Sequence, residues 1–361
     1  MRHITVNIQD ELKIIGTYKP MPRPGFSFPG SPKYNTPITP KENTFRFLKG
    51  EGLWAPSGAD FVTLCPKIIP DNIARAFVID AEPFNNADNG GGLDMFGVEW
   101  EYVPQAGGSM VRPGSPLKIP DILQWEKYIT FPNLDDYDWA ESAKINAPYI
   151  ADGRITMIWI LNGLFERLIS FVEFENAALA LIDDEEKEAV HRLFDKLCDF
   201  YDDYITRLHK YYQADAIYFH DDWGSQRAPF FSLGTVREML VPYLKRVCDS
   251  AHKNNMFVDF HSCGKIEPLV PAMIEAGVDV WSGQPMNDRL QVLKQYGDKI
   301  KLNFGPTAMF GATEDQVVAE TSAFLEEYGP YIRSITVSTG FGGGGKMYEM
   351  VYAYSREAFS K

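Results

Sequence analysis

Residues 257–264, which read Phe-Val-Asp-Phe-His-Ser-Cys-Gly, carry the most evident chemistry of the sequence. The apolar run predicts a β-strand, and the glycine that follows predicts a turn. Side chains two apart in a strand point to the same face, so we expect Asp259, His261 and Cys263 to share one side. An imidazole and a thiol in this arrangement can hold a soft metal such as zinc, or handle a reactive sulfur ligand.

An isolated His-x-Cys pair also has a plain structural explanation, a buried thiol beside a hydrogen-bonded core histidine. The polar groups at neighbouring strand ends favour the chemical interpretation here. Asp259 lies deeper in its predicted strand, so we expect it to orient His261 rather than to meet a substrate.

A second group of ionisable side chains follows the apolar run at residues 216–220, where Asp221 and Asp222 stand side by side. Two adjacent carboxylates after a buried strand are costly unless they are paired, bound to a ligand or solvated. Both are therefore candidate catalytic residues, with helix caps or loop ion pairs as the structural alternative. Gln226, a few residues later, is a candidate for binding substrate.

Further polar residues end the later apolar runs. Gln284 and Asn303 follow two of them, and both can hydrogen-bond a polar ligand. Residues 338–346 form a glycine-rich segment before the last predicted helix, and its backbone amides can cradle a carboxylate or a phosphate. Thr339, Gly342 and Gly343 are its candidate binding residues, and a tight closing turn is the alternative.

The elements that carry these residues alternate regularly from about residue 154 onward. Apolar runs predict strands at residues 155–161, 216–222, 256–263, 278–282, 301–305 and 334–339, and helical periodicity fills residues 184–211, 235–254 and 313–328. With two weaker candidates near residues 60–65 and 76–79, the pattern predicts a (β/α)8 TIM-type barrel, in which chemistry lies at the C-terminal ends of the strands. A doubly wound open sheet is the alternative. The chain lacks a phosphate-binding glycine fingerprint after an early strand, so no nucleotide cofactor is expected.

Residues 1–150 are rich in Pro, Gly, Asn and Trp, and predict loops and short hairpins, with a strand near residues 97–103. No Ser/Gly-rich or charged linker separates them from residues 151–361. We therefore expect an irregular N-terminal extension that caps the barrel mouth within a single domain.

The 361-residue chain has a formal net charge of −14 and no basic cluster, which argues against nucleic acid and anionic membranes as partners. The four cysteines, Cys65, Cys198, Cys248 and Cys263, show no paired spacing. The N-terminus lacks an apolar signal core, and no later run is long enough to span a bilayer. These features predict a cytoplasmic protein without a disulfide framework.

Several segments together resemble the uroporphyrinogen decarboxylase-like superfamily. They are residues 219–226 with Pro229 and Ser232, residues 260–264 and 277–281, and, more weakly, residues 163–167 and 92–97. The resemblance runs through most of the chain and is best from residue 154 onward.

The resemblance implies a β/α barrel, often a homodimer, and one of two chemistries. One is metal-free and cofactor-free decarboxylation of the acetate arms of uroporphyrinogen. The other is methyl transfer to or from a corrinoid, as in methylcobamide:coenzyme M methyltransferases and the O-demethylase components of anaerobes.

The departures of this sequence from the two family patterns favour the methyltransferase branch. The arginine-rich N-terminal stretch of true decarboxylases is missing, and residues 44–49 are the nearest basic segment. The methyltransferase branch implies zinc bound by His261 and Cys263. In that branch a later cysteine is also a zinc ligand, and it would fall where this chain has residues 338–340, Ser-Thr-Gly. The third zinc ligand is therefore not identified, and Asp222, Glu349 or a substrate thiol are its candidates.

The leading hypothesis is a methyltransferase that moves a methyl group between a corrinoid (cobalamin) held by a partner protein and a small-molecule donor or acceptor. Its expected catalytic residues are Asp221, Asp222, His261 and Cys263. One alternative is a cofactor-independent decarboxylase in which Asp222 handles the proton. The other is a barrel that binds a ligand without catalysis.

Overall fold

The computed structural model describes residues 7–22, 30–105, 107–307, 311–338 and 345–361. No helix in these ranges has the length and apolar character needed to cross a membrane. The strands are β1 (Ile14–Thr17), β2 (Pro32–Tyr34), β3 (Phe61–Leu64), β4 (Gly92–Leu93), β5 (Glu99–Val103), β6 (Gly108–Val111), β7 (Ile155–Ile160), β8 (Ala216–His220), β9 (Phe257–Ser262), β10 (Val280–Gly283), β11 (Lys301–Phe304) and β12 (Ile335–Val337).

The α-helices are α1 (Ile8–Glu11), α2 (Pro40–Leu48), α3 (Pro70–Ala74), α4 (Asn86–Asn89), α5 (Trp139–Asn146), α6 (Leu164–Val172), α7 (Phe174–Ala180), α8 (Lys187–Tyr212), α9 (Leu233–Met239), α10 (Val241–Lys253), α11 (Val270–Ala276), α12 (Arg289–Tyr296), α13 (Glu314–Tyr328) and α14 (Lys346–Ser360). Short 3-10 helices cover Gly58–Asp60, Ile122–Lys127, Leu134–Asp136, Glu267–Leu269 and Gly329–Ser334.

A curled parallel sheet forms the centre of the molecule, with the strand order β3-β7-β8-β9-β10-β11-β12. Its two edges meet where Ser57, just before β3, forms a parallel bridge with Val337 of β12. The Val337 N–H donates to the Pro56 carbonyl at 2.7 Å. The predicted TIM-type α/β barrel is confirmed, although the described residues supply seven barrel strands rather than eight. The closing segment stays a single bridge because Pro56 has no N–H to extend a ladder.

Two sequence-based expectations differ from the structure. The candidate strand at residues 76–79 does not join the barrel: Ile79 forms only an antiparallel bridge with Cys65, and the Val78 N–H is taken by the side-chain oxygen of Asn86 at 2.9 Å. The helix expected at residues 235–254 is two helices, α9 and α10. Pro242, in the first turn of α10, lacks the N–H that would continue the preceding helix.

The two ends of the barrel differ in polarity. Apolar side chains of the strands fill the N-terminal end, where Phe45 of α2 packs edge-on against Phe257 of β9 with ring centroids 6.0 Å apart. One piece of the N-terminal extension therefore closes the end opposite to the predicted mouth. The C-terminal end of the interior carries polar side chains instead.

A buried ion cluster joins the extension to the barrel. Arg167 of α6 is 1% exposed. It binds Asp71 and Asp94, with 2.7 Å between its Nη1 and Asp94 Oδ2. Asp94 also accepts a hydrogen bond from Trp100 Nε1 at 3.0 Å. Both carboxylates come from the N-terminal extension, so charge pairing couples its position to that of α6.

Replacing this arginine tests the coupling. In Arg167→Met, two carboxylates stay buried without their cation, and breaking a buried pair in this way costs about 3–5 kcal/mol. We expect the free energy of unfolding, measured by urea denaturation, to fall by that amount. Arg192→Met, which removes an exposed ion pair with Glu126, is the matched control and should cost about 1 kcal/mol or less. Equal urea midpoints for the two variants would contradict the coupling.

Candidate functional site

Two histidines lie side by side at the C-terminal end of the barrel interior. His220 ends β8 and pairs in register with His261 of β9. Their rings stack with centroids 5.0 Å apart and planes 10° apart. Asp222 and Cys263 follow two residues after each histidine and therefore face the same way. The ligand atoms of the four side chains all lie within 4.8 Å of one another.

The imidazole Nδ1 atoms are both held by acceptors. His261 Nδ1 lies 2.7 Å from the carbonyl oxygen of Ser282, and His220 Nδ1 lies 2.7 Å from Glu166 Oε2. Carbonyl and carboxylate oxygens only accept hydrogen bonds, so each Nδ1 carries the proton. This leaves Nε2 of each ring as the atom that can bind a metal.

Both Nε2 atoms face the other two members of the cluster. His261 Nε2 is 3.5 Å from Cys263 Sγ, and His220 Nε2 is 3.4 Å from Asp222 Oδ1. The loops after β8 and β9 are also joined, because the Cys263 N–H donates to Asp222 Oδ1 at 2.6 Å. Two imidazoles, a thiol and a carboxylate thus converge on one point.

Gly264 permits the close approach of the two loops. Its φ is +96°, and a Cβ at this position would lie 2.4 Å from the carbonyl carbon of Gly224. A side chain here would be strained and would push the loops apart. The turn predicted after Cys263 therefore has a direct role in bringing the cluster together.

The charges of the cluster are unequal. Burial favours the neutral form of His220, but the Glu166 and Asp222 carboxylates outweigh it and raise the pKa of His220 well above its usual value. Burial, assisted by the charge on His220, lowers the pKa of His261 to about 4. Burial also raises the pKa of Cys263 and of Asp222. Two carboxylates, Glu166 and Asp222, therefore flank His220 and favour its charged form, while burial favours the neutral forms of His261 and Cys263.

Asp221 points away from the cluster. It is 1% exposed, and burial raises its pKa to about 7. Its Oδ1 accepts the Glu166 N–H at 2.8 Å, and its Oδ2 accepts the Trp223 Nε1–H at 3.0 Å. These contacts anchor the first turn of α6, as in the structural alternative for this residue, and its catalytic role stays a prediction.

The proposed substrate-binding residues lie in different places. Gln284 is engaged within the protein, since its Oε1 accepts the Gly264 N–H at 2.8 Å. Gln226 is exposed in the loop after β8. Thr339, Gly342 and Gly343 lie outside the described residues, so the anion-binding turn stays a prediction.

Asn303 and Asp259 form a polar layer within the barrel. Asn303 Nδ2 donates to Ser282 Oγ at 2.9 Å and to Asp259 Oδ2 at 3.3 Å, and Ser282 Oγ donates to Asp259 Oδ1 at 2.7 Å. The backbone carbonyl of Ser282, rather than Asp259, holds His261 Nδ1. The expected direct orienting contact from Asp259 is thus replaced by an indirect one through Ser282.

The sequence-based assignment missed His220 and Glu166 as members of the site. Strand alternation could have found His220, because it is spaced from Asp222 as His261 is from Cys263. No local sequence pattern identifies Glu166, which lies on a helix 54 positions before its histidine partner.

A cavity of about 490 Å³ lies between α6 and the β5–β6 hairpin. Trp100, Met110 and Ile169 give it an apolar lining, and Glu166 belongs both to its wall and to the contacts of His220. Its size is that of a small-molecule site.

Comparisons with known proteins agree with this architecture. The family model for uroporphyrinogen decarboxylase (URO-D) matches residues 94–342. A methyltransferase from Methanosarcina mazei is similar in structure, with a TM-score of 0.59 and 16% identity over 90% of this chain and 100% of that one.

Other comparisons add little. A D-psicose 3-epimerase in the presence of D-fructose reaches a TM-score of only 0.32, at 12% identity over 63% of this chain and 84% of that one, which is too low to indicate a shared fold. No curated protein matches the chain in sequence. Because the family model spans more than half of the sequence, the chain belongs to the uroporphyrinogen decarboxylase (URO-D) family.

Proposed function

We propose that the protein is a methyltransferase that moves a methyl group between a corrinoid, carried by a partner protein, and a small molecule. The observation that carries this proposal is the convergence of His220, Asp222, His261 and Cys263 at the C-terminal end of the barrel. This is the end at which barrel enzymes place their chemistry.

The side chains of the cluster fit a zinc ion. Zinc prefers four ligands drawn from imidazole nitrogen, thiolate and carboxylate, and the cluster offers all three kinds. The Nε2 atoms of His220 and His261 would hold it with the Cys263 sulfur. Asp222 would be the fourth ligand and the one most readily exchanged, because its Oδ1 already accepts the Cys263 N–H. When bound, zinc would supply the positive charge that keeps a substrate thiol ionised at neutral pH.

The chain's own residues would mainly position the reactants. Methyl transfer is an in-line displacement, so alignment supplies much of the rate. The cavity beside Glu166 would receive the small molecule, with Trp100, Met110 and Ile169 offering it an apolar surface. Glu166 lines this cavity and contacts His220, so a molecule bound there would be separated from the cluster by that side chain.

The decarboxylase alternative is less well supported. Uroporphyrinogen carries several carboxylates, and binding them requires available cations. Arg75 and Arg112 line the cavity, but the first is ion-paired with Glu166 at 3.5 Å and the second with Glu99 and Glu101. A polycarboxylate would have to displace these carboxylates to bind there.

Metal content tests the zinc site. Protein purified without chelator should contain about one zinc per chain by elemental mass spectrometry. We expect His220→Ala, His261→Ala and Cys263→Ser each to lose most of it, because each removes one of three strong ligands. Cys198→Ser, which changes a buried thiol that bonds the Tyr243 carbonyl, should keep it. A metal-free wild type would remove zinc from the proposal.

Activity tests the reaction. The double variant His261→Ala, Cys263→Ser should lose methyl transfer by about two orders of magnitude or more, because nucleophile activation and positioning are lost together. Transfer between methylcobalamin and a panel of thiols and methyl ethers can be followed by the corrinoid absorbance, with Cys198→Ser as control. Wild-type turnover in the double variant would contradict the methyltransferase assignment. Carbon dioxide release from uroporphyrinogen would favour the decarboxylase.

Filling the cavity tests where the small molecule binds. Ile169→Trp places a large ring in the cavity, and we expect KM for the small molecule to rise about tenfold or more while metal content stays unchanged. Ile182→Trp, at an exposed isoleucine, is the matched control. An unchanged KM in Ile169→Trp would place the substrate elsewhere.

A further inference from the structure

We propose that Glu166 of α6 is the positioning residue that orients His220 as a metal ligand. The inference rests on the metal site of the proposed function and adds a residue from outside the two strands that carry the cluster. The carboxylate would act on the metal only through the ring of His220.

The contact between the two side chains is short and directional. Glu166 Oε2 lies 2.7 Å from His220 Nδ1, and the Leu161 carbonyl oxygen lies 3.2 Å from the same nitrogen. A hydrogen bond to an ionised carboxylate is stronger than one to a neutral carbonyl. Glu166 is therefore the main acceptor, and it turns Nε2 of the ring towards Asp222, 3.4 Å away.

Several contacts hold Glu166 itself in place. Its backbone N–H donates to Asp221 Oδ1 at 2.8 Å, which secures the first turn of α6. Arg75 Nη2 lies 3.5 Å from Glu166 Oε1, and Arg75 Nη1 donates to Asn162 Oδ1 at 3.3 Å. Only 11% of the Glu166 side chain is exposed. The carboxylate thus has a defined position before any ligand arrives.

His261 provides an internal comparison. Its Nδ1 is held by the backbone carbonyl of Ser282, which no side-chain substitution removes. A change at Glu166 should therefore alter the ring of His220 and leave that of His261 as it is. A general loosening of the fold would affect both.

The first experiment measures affinity for Co²⁺ alone, by competition with a chromophoric chelator on the full chain. Loss of a hydrogen-bond partner behind a metal-binding histidine typically costs 10–100-fold in affinity. Because the Leu161 carbonyl remains, we expect a loss of about tenfold for Glu166→Ala and a smaller loss for Glu166→Gln, whose amide oxygen still accepts. Glu175→Ala, at an exposed glutamate of α7, should match the wild type.

The second experiment needs no metal. In the metal-free protein, the Nδ1–H protons of His220 and His261 should give separate downfield, slowly exchanging NMR signals, assigned with single histidine variants. Glu166→Ala should lose or shift the His220 signal and keep that of His261. Glu166→Gln should keep both, which guards against a variant that merely folds poorly.

The two experiments separate the possible failures. Wild-type protein that binds no Co²⁺ overturns the metal site of the proposed function, and with it the ligand role of His220, whatever the NMR signals show. If the wild type binds Co²⁺, unchanged affinity together with an unchanged His220 signal in Glu166→Ala overturns the positioning role alone. Lower affinity with a lost His220 signal and a retained His261 signal supports it.

Discussion

The buried guanidinium of Arg167 fixes how the N-terminal extension packs against the barrel. Removing this charge from water is costly unless carboxylates are paired with it, and both partners, Asp71 and Asp94, come from the N-terminal extension. The extension must therefore pack on α6. Asp94 also accepts a hydrogen bond from Trp100, which lines the cavity between α6 and the β5–β6 hairpin. Glu166, the residue before Arg167, depends on the same arrangement for its place next to the cluster.

The register of β8 against β9 determines which side chains meet in the cluster. Pairing of His220 with His261 brings Asp222 and Cys263 together, because side chains on a strand repeat every two residues. A shift of one residue would turn one set out of the barrel. Gly264 completes the geometry by letting the two loops touch.

Polar and apolar parts of the barrel interior are separated along its axis. Aromatic and aliphatic side chains fill the N-terminal end, while the ionisable groups gather at the C-terminal end. Those groups hold one another through hydrogen bonds and ion pairs, which offsets much of the cost of burying them. Such a preorganised cluster suits the methyl transfer proposed above, because alignment of the reactants supplies much of the rate of such a displacement.

Local patterns of the chain were enough to predict the alternation of strands and helices, the barrel class, and His261, Cys263 and Asp222 as candidate site residues, because period-two and helical patterns are local properties. The packing of α6 over the strand ends was needed to distinguish Asp221 from Asp222. The two are identical in chemistry, yet one anchors α6 and the other joins the cluster. It also brought Glu166 to His220 across 54 positions. Such contacts depend on how a helix packs over the strand ends, and no local pattern encodes that distance.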